Sequence, residues 1–141
     1  MATFGTGVTS NSPNRVAGTA GAVLAAGTSV YLSAGKWYKA QSNASTTIGT
    51  TGANNGTLGV ALNSAIAANA PIDVLLGGYL ENCSSLLPGQ AYVVSDSAAG
   101  DVIAHSALTE DTDYSVIMGA ADTTTTAYIG PINTGAVLNL I

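Results

Sequence analysis

An internal repeat constrains the fold of this 141-residue chain more than any other feature of its sequence. Each copy has a Leu-x-x-Gly segment, a short apolar strand, a glycine turn and a glycine inside a later apolar segment. These features fall at Leu24–Gly27, Gly35 and Gly59 in the first copy, and at Leu86–Gly89, Gly100 and Gly119 in the second. The separation between matching glycines is 60 to 65 residues at these positions and 53 for the later pair Gly77 and Gly130, a drift of the size that changes in loop length produce. The pattern predicts a duplicated β unit, and the lack of reactive side chains at matching positions indicates a building block.

Short apolar segments separated by turn signals predict that this unit is built of strands. We expect strands over 30–33, 36–40, 57–63, 72–81, 92–95, 102–104, 114–120, 127–132 and 136–140. Residues 64–70 fit one helical turn or a loop, and residues 106–113 fit a short capped turn. The pattern predicts an all-β fold, a small β-barrel or sandwich. We expect a single β domain over 21–141, made of two similar strand units at 21–81 and 84–141.

Residues 1–20 differ from the rest of the chain, because they are rich in turn formers and show no sustained period. They predict an extended N-terminal arm. Phe4 and Val8 suit an arm that docks on a neighbouring molecule, since large apolar side chains in an otherwise polar segment gain little unless a partner covers them. A floppy terminus is the alternative interpretation. We expect removal of residues 1–18 to leave the β domain folded.

The charge content excludes two classes of partner. Charged residues make up 8% of the chain, against about 25% in ordinary soluble proteins, and the net charge is −5. Only Arg15, Lys36 and Lys39 are available to meet phosphates, which argues against nucleic acid and anionic membrane surfaces as partners. The uncharged run 16–35 is broken by glycines and does not read as a membrane span. A neutral polar surface suits a subunit that is largely covered by other subunits.

Few residues are candidates for catalysis or metal binding. The carboxylates that cluster are Asp96 with Asp101, and Glu110 with Asp111 and Asp113. Neither group has the ligand spacing of a calcium loop, so we expect solvated turns. His105 and Cys83 are the only residues of their types and lie in no motif, so we expect both to pack structurally. The sequence predicts no enzyme, no catalytic residue, no cofactor and no bound metal.

Three aromatic residues are candidates for an interface between subunits. Trp37 and Tyr38 are on one predicted strand and Tyr79 is on another. An aromatic ring with a polar tip suits a protein–protein contact. For Trp37, a place in the core is the competing interpretation. The same three rings also suit a platform for a sugar, so a carbohydrate- or surface-binding module of a head fibre or adhesin is an alternative function.

Five segments carry a resemblance to a known family. They are Ser29–Ala40, Gly56–Leu62, Ile72–Tyr79, Leu86–Ser95 and Gly130–Leu138. Together they resemble the head decoration proteins, or capsid cement proteins, of tailed bacteriophages. The strand order predicted for the first half also resembles that of the small trimeric decoration protein of lambdoid phages. The matching residues are structural glycines and apolar strand residues, which are specific in combination and weak singly.

The resemblance implies a structural virion protein without catalytic activity. Such a protein sits as a homotrimer on the outer surface of the phage head, binds the major capsid protein and stabilises the coat-protein shell. It also implies that an N-terminal arm adds a strand or a contact to the shell. In this chain that role falls to residues 1–20, with Phe4, Val8 and Arg15 as the expected capsid contacts.

Overall fold

Strands form nearly all of the regular structure in the computed structural model, which describes residues 3–41, 57–95, 98–107 and 114–137. Within these ranges the strands are β1 (Arg15–Thr19), β2 (Ser29–Ser33), β3 (Lys36–Lys39), β4 (Leu58–Ala61), β5 (Pro71–Leu75), β6 (Gly78–Leu80), β7 (Ala91–Val94), β8 (Val102–Ala104), β9 (Tyr114–Ala121) and β10 (Ala127–Val137). The remaining element is a one-turn 3₁₀ helix, His105–Ala107. The all-β prediction is confirmed.

The strands form two antiparallel five-stranded sheets with the same internal order. The first sheet has the order β1-β5-β4-β2-β3 and the second has β6-β10-β9-β7-β8. Adding five to each strand number of the first sheet gives the second, so the fold repeats as the sequence does. Of the two predicted architectures the sandwich is the one observed, because neither sheet closes into a barrel. Glycines Gly59 and Gly119 occupy matching positions, in β4 and β9.

The chain passes from the first sheet to the second in the middle of a segment that the sequence predicts to be one strand. Residues 72–81 instead form β5 and β6, which belong to different sheets. The break falls at Leu76 and Gly77, and Gly78 follows with φ of 113°, in the region that favours glycine. The strands of the two sheets therefore span residues 15–75 and 78–137, whereas the sequence predicts units at 21–81 and 84–141.

One expectation about the strands differs from the observed elements, and one open alternative is decided. The predicted strands 127–132 and 136–140 are one irregular strand, β10, as far as Val137, where the described residues end. Its pairing with β9 shifts between Ile129 and Ile132 and again between Asn133 and Val137, which interrupts the alternation of the sequence. Residues 64–70 form a loop without a helical turn, held by an antiparallel bridge between Leu24 and Ala65. Of 106–113, the part beyond Ala107 lies outside the described residues.

The core has two main layers. The larger one lies between the sheets, where Val60 and Leu75 of the first sheet meet Tyr92 and Met118 of the second. The other covers the opposite face of the first sheet and includes Val30, Trp37, Ile72 and Val74 from its strands. Leu24 and Ala65 close this second layer from the loops. Both faces of the first sheet are thus buried within the chain.

The N-terminal segment packs into the core of its own chain, and its last part is β1 of the first sheet. Phe4 is 0% exposed and Val8 is also buried, both in the layer between the sheets. The Phe4 N–H donates to the Gly27 carbonyl at 3.0 Å, and the Ser84 N–H donates to the Phe4 carbonyl at 2.9 Å. Removing residues 1–18 would take away these side chains and most of β1, so the structure leads us to expect that this truncation destabilises the β domain.

Candidate interaction surface

The three residues expected to contact a capsid lie in two different environments. Phe4 and Val8 are core residues and present no surface to a partner in this structure. Arg15 opens β1 and is exposed. Its Nε donates to the Ser12 carbonyl at 3.0 Å, and its Nη2 donates to the Ser10 carbonyl, so the guanidinium is held against its own segment. Of the three, Arg15 is the one whose side chain faces solvent.

The three aromatic residues proposed as an interface are not brought together. Trp37 is 2% exposed and belongs to the core, because it faces the buried layer on the first sheet. Tyr38, its neighbour on β3, is half-buried with its ring 5.9 Å from that of Tyr31. Burial, and next the neighbouring Tyr38, raise the pKa of the Tyr31 hydroxyl. Tyr79 lies on β6 of the other sheet, so a platform of all three rings does not form.

Tyr79 pairs instead with Tyr128, a residue that the sequence analysis did not select. The two are directly opposite each other on β6 and β10, with ring centroids 5.5 Å apart and ring planes at 86°. Tyr79 is 53% exposed and Tyr128 is 56% exposed. Edge-to-face aromatic pairs contribute about 0.5–1.5 kcal/mol beyond the area that they bury. This pair forms an exposed aromatic surface with two hydroxyl groups.

The pair belongs to a larger apolar face, the side of the second sheet turned away from the first. We call it the tyrosine face, and two rows of cross-strand neighbours make it up. The first row is Tyr79, Tyr128, Ala120 and Ala91, and the second is Ile132, Ile117, Val93 and Ile103. Neither row contains a charged residue. Ile132 is exposed like the tyrosines, whereas Val93 and Ile103 are buried.

Polar groups of the N-terminal segment border the tyrosine face. The Ser10 hydroxyl donates to the Tyr79 carbonyl at 2.5 Å, and the Ser12 hydroxyl donates to the Gly77 carbonyl at 2.7 Å. Next to them is a shallow depression of about 370 Å³, lined by Ser12, Asn14, Leu76, Gly77, Gly78, Tyr128, Ile129, Gly130 and Pro131. An apolar centre with a polar border is the usual composition of a protein contact surface.

The other candidate residues do not assemble a reactive site in the described part of the chain. Cys83 is buried, and that burial raises the pKa of its thiol to about 11, which keeps it protonated near neutral pH. His105 is exposed on the 3₁₀ turn and does not belong to the core. Asp101 is half-buried. Asp96, Glu110, Asp111 and Asp113 lie outside the described residues.

The described residues contain neither a cluster of metal-binding side chains nor a helix that could cross a membrane. No group of three or more His, Cys, Asp or Glu side chains within those ranges is arranged to hold a metal ion. No helix in the same ranges has the length and hydropathy needed to cross a membrane. Comparison of the chain with protein-family models, curated proteins and solved structures gives no significant match.

Proposed function

We propose that this chain is a capsid decoration, or cement, protein of a tailed bacteriophage. It binds the outside of the head as a homotrimer, contacts the major capsid protein and stabilises the coat-protein shell. The observation that supports this most is where the resembling segments lie in the fold. The resembling segments contain β2 and β3 (segment 29–40), β4 (56–62), β5 and most of β6 (72–79), β7 (86–95) and much of β10 (130–138). The resemblance therefore extends over strands of both sheets.

The surface of the chain fits this role physically. Three basic and eight acidic residues leave most of the surface neutral, so contacts rely on apolar and hydrogen-bonding groups. Neutral contacts of this kind are individually weak. A trimer that engages several coat subunits at once gains about 10²–10⁴ in apparent affinity without any new contact, provided the geometry allows simultaneous engagement. Avidity of this size holds a cement subunit on a shell.

The burial of Phe4 and Val8 limits which residues of the N-terminal segment can contact the shell. These side chains hold the two sheets of the chain together, so they are not available to the coat protein. In the proposal the segment acts through its exposed groups. Arg15 supplies the positive charge there, and a carboxylate on the coat protein is the partner that this charge favours.

The proposal is tested by mixing the purified chain with expanded, emptied heads that lack it. We expect saturable co-sedimentation with the heads and a higher temperature of head rupture. Arg15→Ala is expected to weaken the binding to heads. Lys39→Ala is the matched control, because it also removes one exposed positive charge, at the end of β3. Absence of binding at micromolar concentrations, with a folded chain, contradicts the proposal.

Carbohydrate binding is the second candidate, and one specific observation favours it. The exposed Tyr79–Tyr128 pair lies beside the depression lined by Ser12 and Asn14, which places aromatic and hydrogen-bonding groups together. Trp37 takes no part, because it is buried. A folded chain that binds immobilised glycans but not heads supports this second function over the first.

A further inference from the structure

Because the two sheets have the same strand order, the tyrosine face of the second sheet has an equivalent in the first sheet, and that equivalent face is buried inside the chain. In the first sheet, Val60 of β4 pairs with Leu75 of β5. In the second sheet, Ala120 of β9 pairs with Tyr128 of β10. Val60 and Ala120 are at matching positions, because each comes directly after the matching glycine of its copy, Gly59 or Gly119. The two pairs therefore occupy equivalent places on equivalent faces of the two sheets.

The equivalent faces differ in what covers them. Val60 and Leu75 are both fully buried, because the second sheet of this same chain packs on them. Ala120 is exposed, and Tyr128 keeps more than half of its surface in contact with solvent. The face that is covered by the other sheet in the first half of the chain is therefore open to solvent in the second half at Tyr79, Tyr128 and Ile132, whereas its Val93 and Ile103 end is buried.

The charge of the chain narrows the choice of partner for the open face. Copies of a chain with a net charge of −5 repel each other, so they associate best through a surface without carboxylates. The two rows of the tyrosine face contain none. Exposed, contiguous apolar patches with polar borders mark interaction sites, and tyrosines at their centre are frequent energetic anchors.

We infer that the tyrosine face is the surface through which a second copy of this chain docks. This deepens the proposed function and rests on it for the existence of a homotrimer. Tyr79 and Tyr128 lie at the centre of the contact, and Ile132 extends it along β10. The polar groups of residues 10–14 lie at its border, where they stay hydrated.

The test is the state of association of the full-length chain, measured by sedimentation velocity over a concentration series. We expect the unaltered chain to form a multimer. The double variant Tyr79→Ser, Tyr128→Ser is expected to dissociate at least about 30-fold more easily, as the loss of interface anchors of about 2 kcal/mol implies. Ile66→Ser is the matched control, because Ile66 is 88% exposed on a loop of the other sheet, and its multimer is expected to be unchanged.

Radical footprinting of the unaltered chain gives a second measurement if the double variant does not fold. Oxidation of Tyr79 and Tyr128 is expected to fall as concentration rises and the multimer forms. A multimer that leaves both tyrosines equally reactive overturns the inference, as does a chain that stays monomeric at 100 μM or more. Neither measurement involves heads. A multimer built through this face by a chain that does not bind heads supports the inference and contradicts only the proposed function.

Discussion

Phe4 offers the sharpest test of how the N-terminal segment is held. Its ring is fully buried between the two sheets and lies edge-on to Tyr92, with centroids 6.2 Å apart. Phe4→Ala removes roughly 150 Å² of buried apolar surface, which at about 25 cal/mol per Å² is a loss of about 4 kcal/mol. Measured Phe→Ala changes in protein cores fall at about 3–5 kcal/mol. This is a large part of the total stability of about 5–15 kcal/mol that is usual for a domain.

Equilibrium unfolding in urea measures this loss directly. With a slope of about 2 kcal/mol per M, the midpoint of the Phe4→Ala variant is expected to fall by about 2 M at an unchanged slope. Leu87→Ala is the matched control, because Leu87 is a large apolar residue that is mostly exposed in the loop before β7. Its midpoint is expected to move by less than about 0.25 M. A Phe4→Ala variant that unfolds with the control would refute the packing of residues 1–20 into the core.

Two further predictions address the repeat and the buried thiol. Gly27 and Gly89 are matching glycines with φ of 85° and 81°, so alanine costs about 1–2 kcal/mol at either. A Cβ on Gly27 would also meet the Gly5 carbonyl oxygen, whereas a Cβ on Gly89 would meet nothing within 4 Å. The urea midpoint is therefore expected to fall clearly further for Gly27→Ala than for Gly89→Ala. Equal losses would contradict the contact with Gly5. The pKa of the Cys83 thiol is raised by burial from 9.0 to about 11, so its contribution to stability is intact below pH 9 and is lost as the pH rises through 11. Unfolding curves over this range are expected to lose part of their pH slope in Cys83→Ala, and rapid thiol labelling of the folded chain at pH 8 would contradict the burial.

The local elements of the fold follow from short-range signals in the sequence. The hairpin of β2 and β3 is predicted from its apolar segments and the turn between them. Ala34 and Gly35 both have positive φ there, as a two-residue hairpin turn requires. The strand β8 occupies the predicted residues 102–104 for the same reason. The repeat of apolar segments and glycines likewise predicts two similar strand units, and the two observed sheets share one strand order.

The break between β5 and β6 could not be placed from the same signals. An apolar alternation over 72–81 is the same whether the chain continues in one sheet or enters another, and the choice depends on packing between distant strands. The N-terminal segment is a similar case. Its hydrogen bonds reach residues far away in the chain, such as those from Ser12 to Gly77 and from Asn82 to Thr9, and such contacts leave no period in the sequence.

The aromatic residues show the same limit at the level of single side chains. Trp37 and Tyr128 are both aromatic residues on strands, yet one is buried and the other is exposed. Their orientation is set by register, and in β10 the register shifts beyond Ile129. Composition therefore suggests that rings take part in an interface, but only the pairing of Tyr128 with Tyr79 shows which rings face outward.

The proposal that this chain is a cement on the outside of a phage head is tested by a cryo-EM map of the parent particle. We expect density on the outer surface, in groups of three around threefold or quasi-threefold positions. Each density is expected to fit one two-sheet sandwich, in contact with more than one coat subunit. A particle that lacks the chain, or that carries it inside the shell, contradicts the claim.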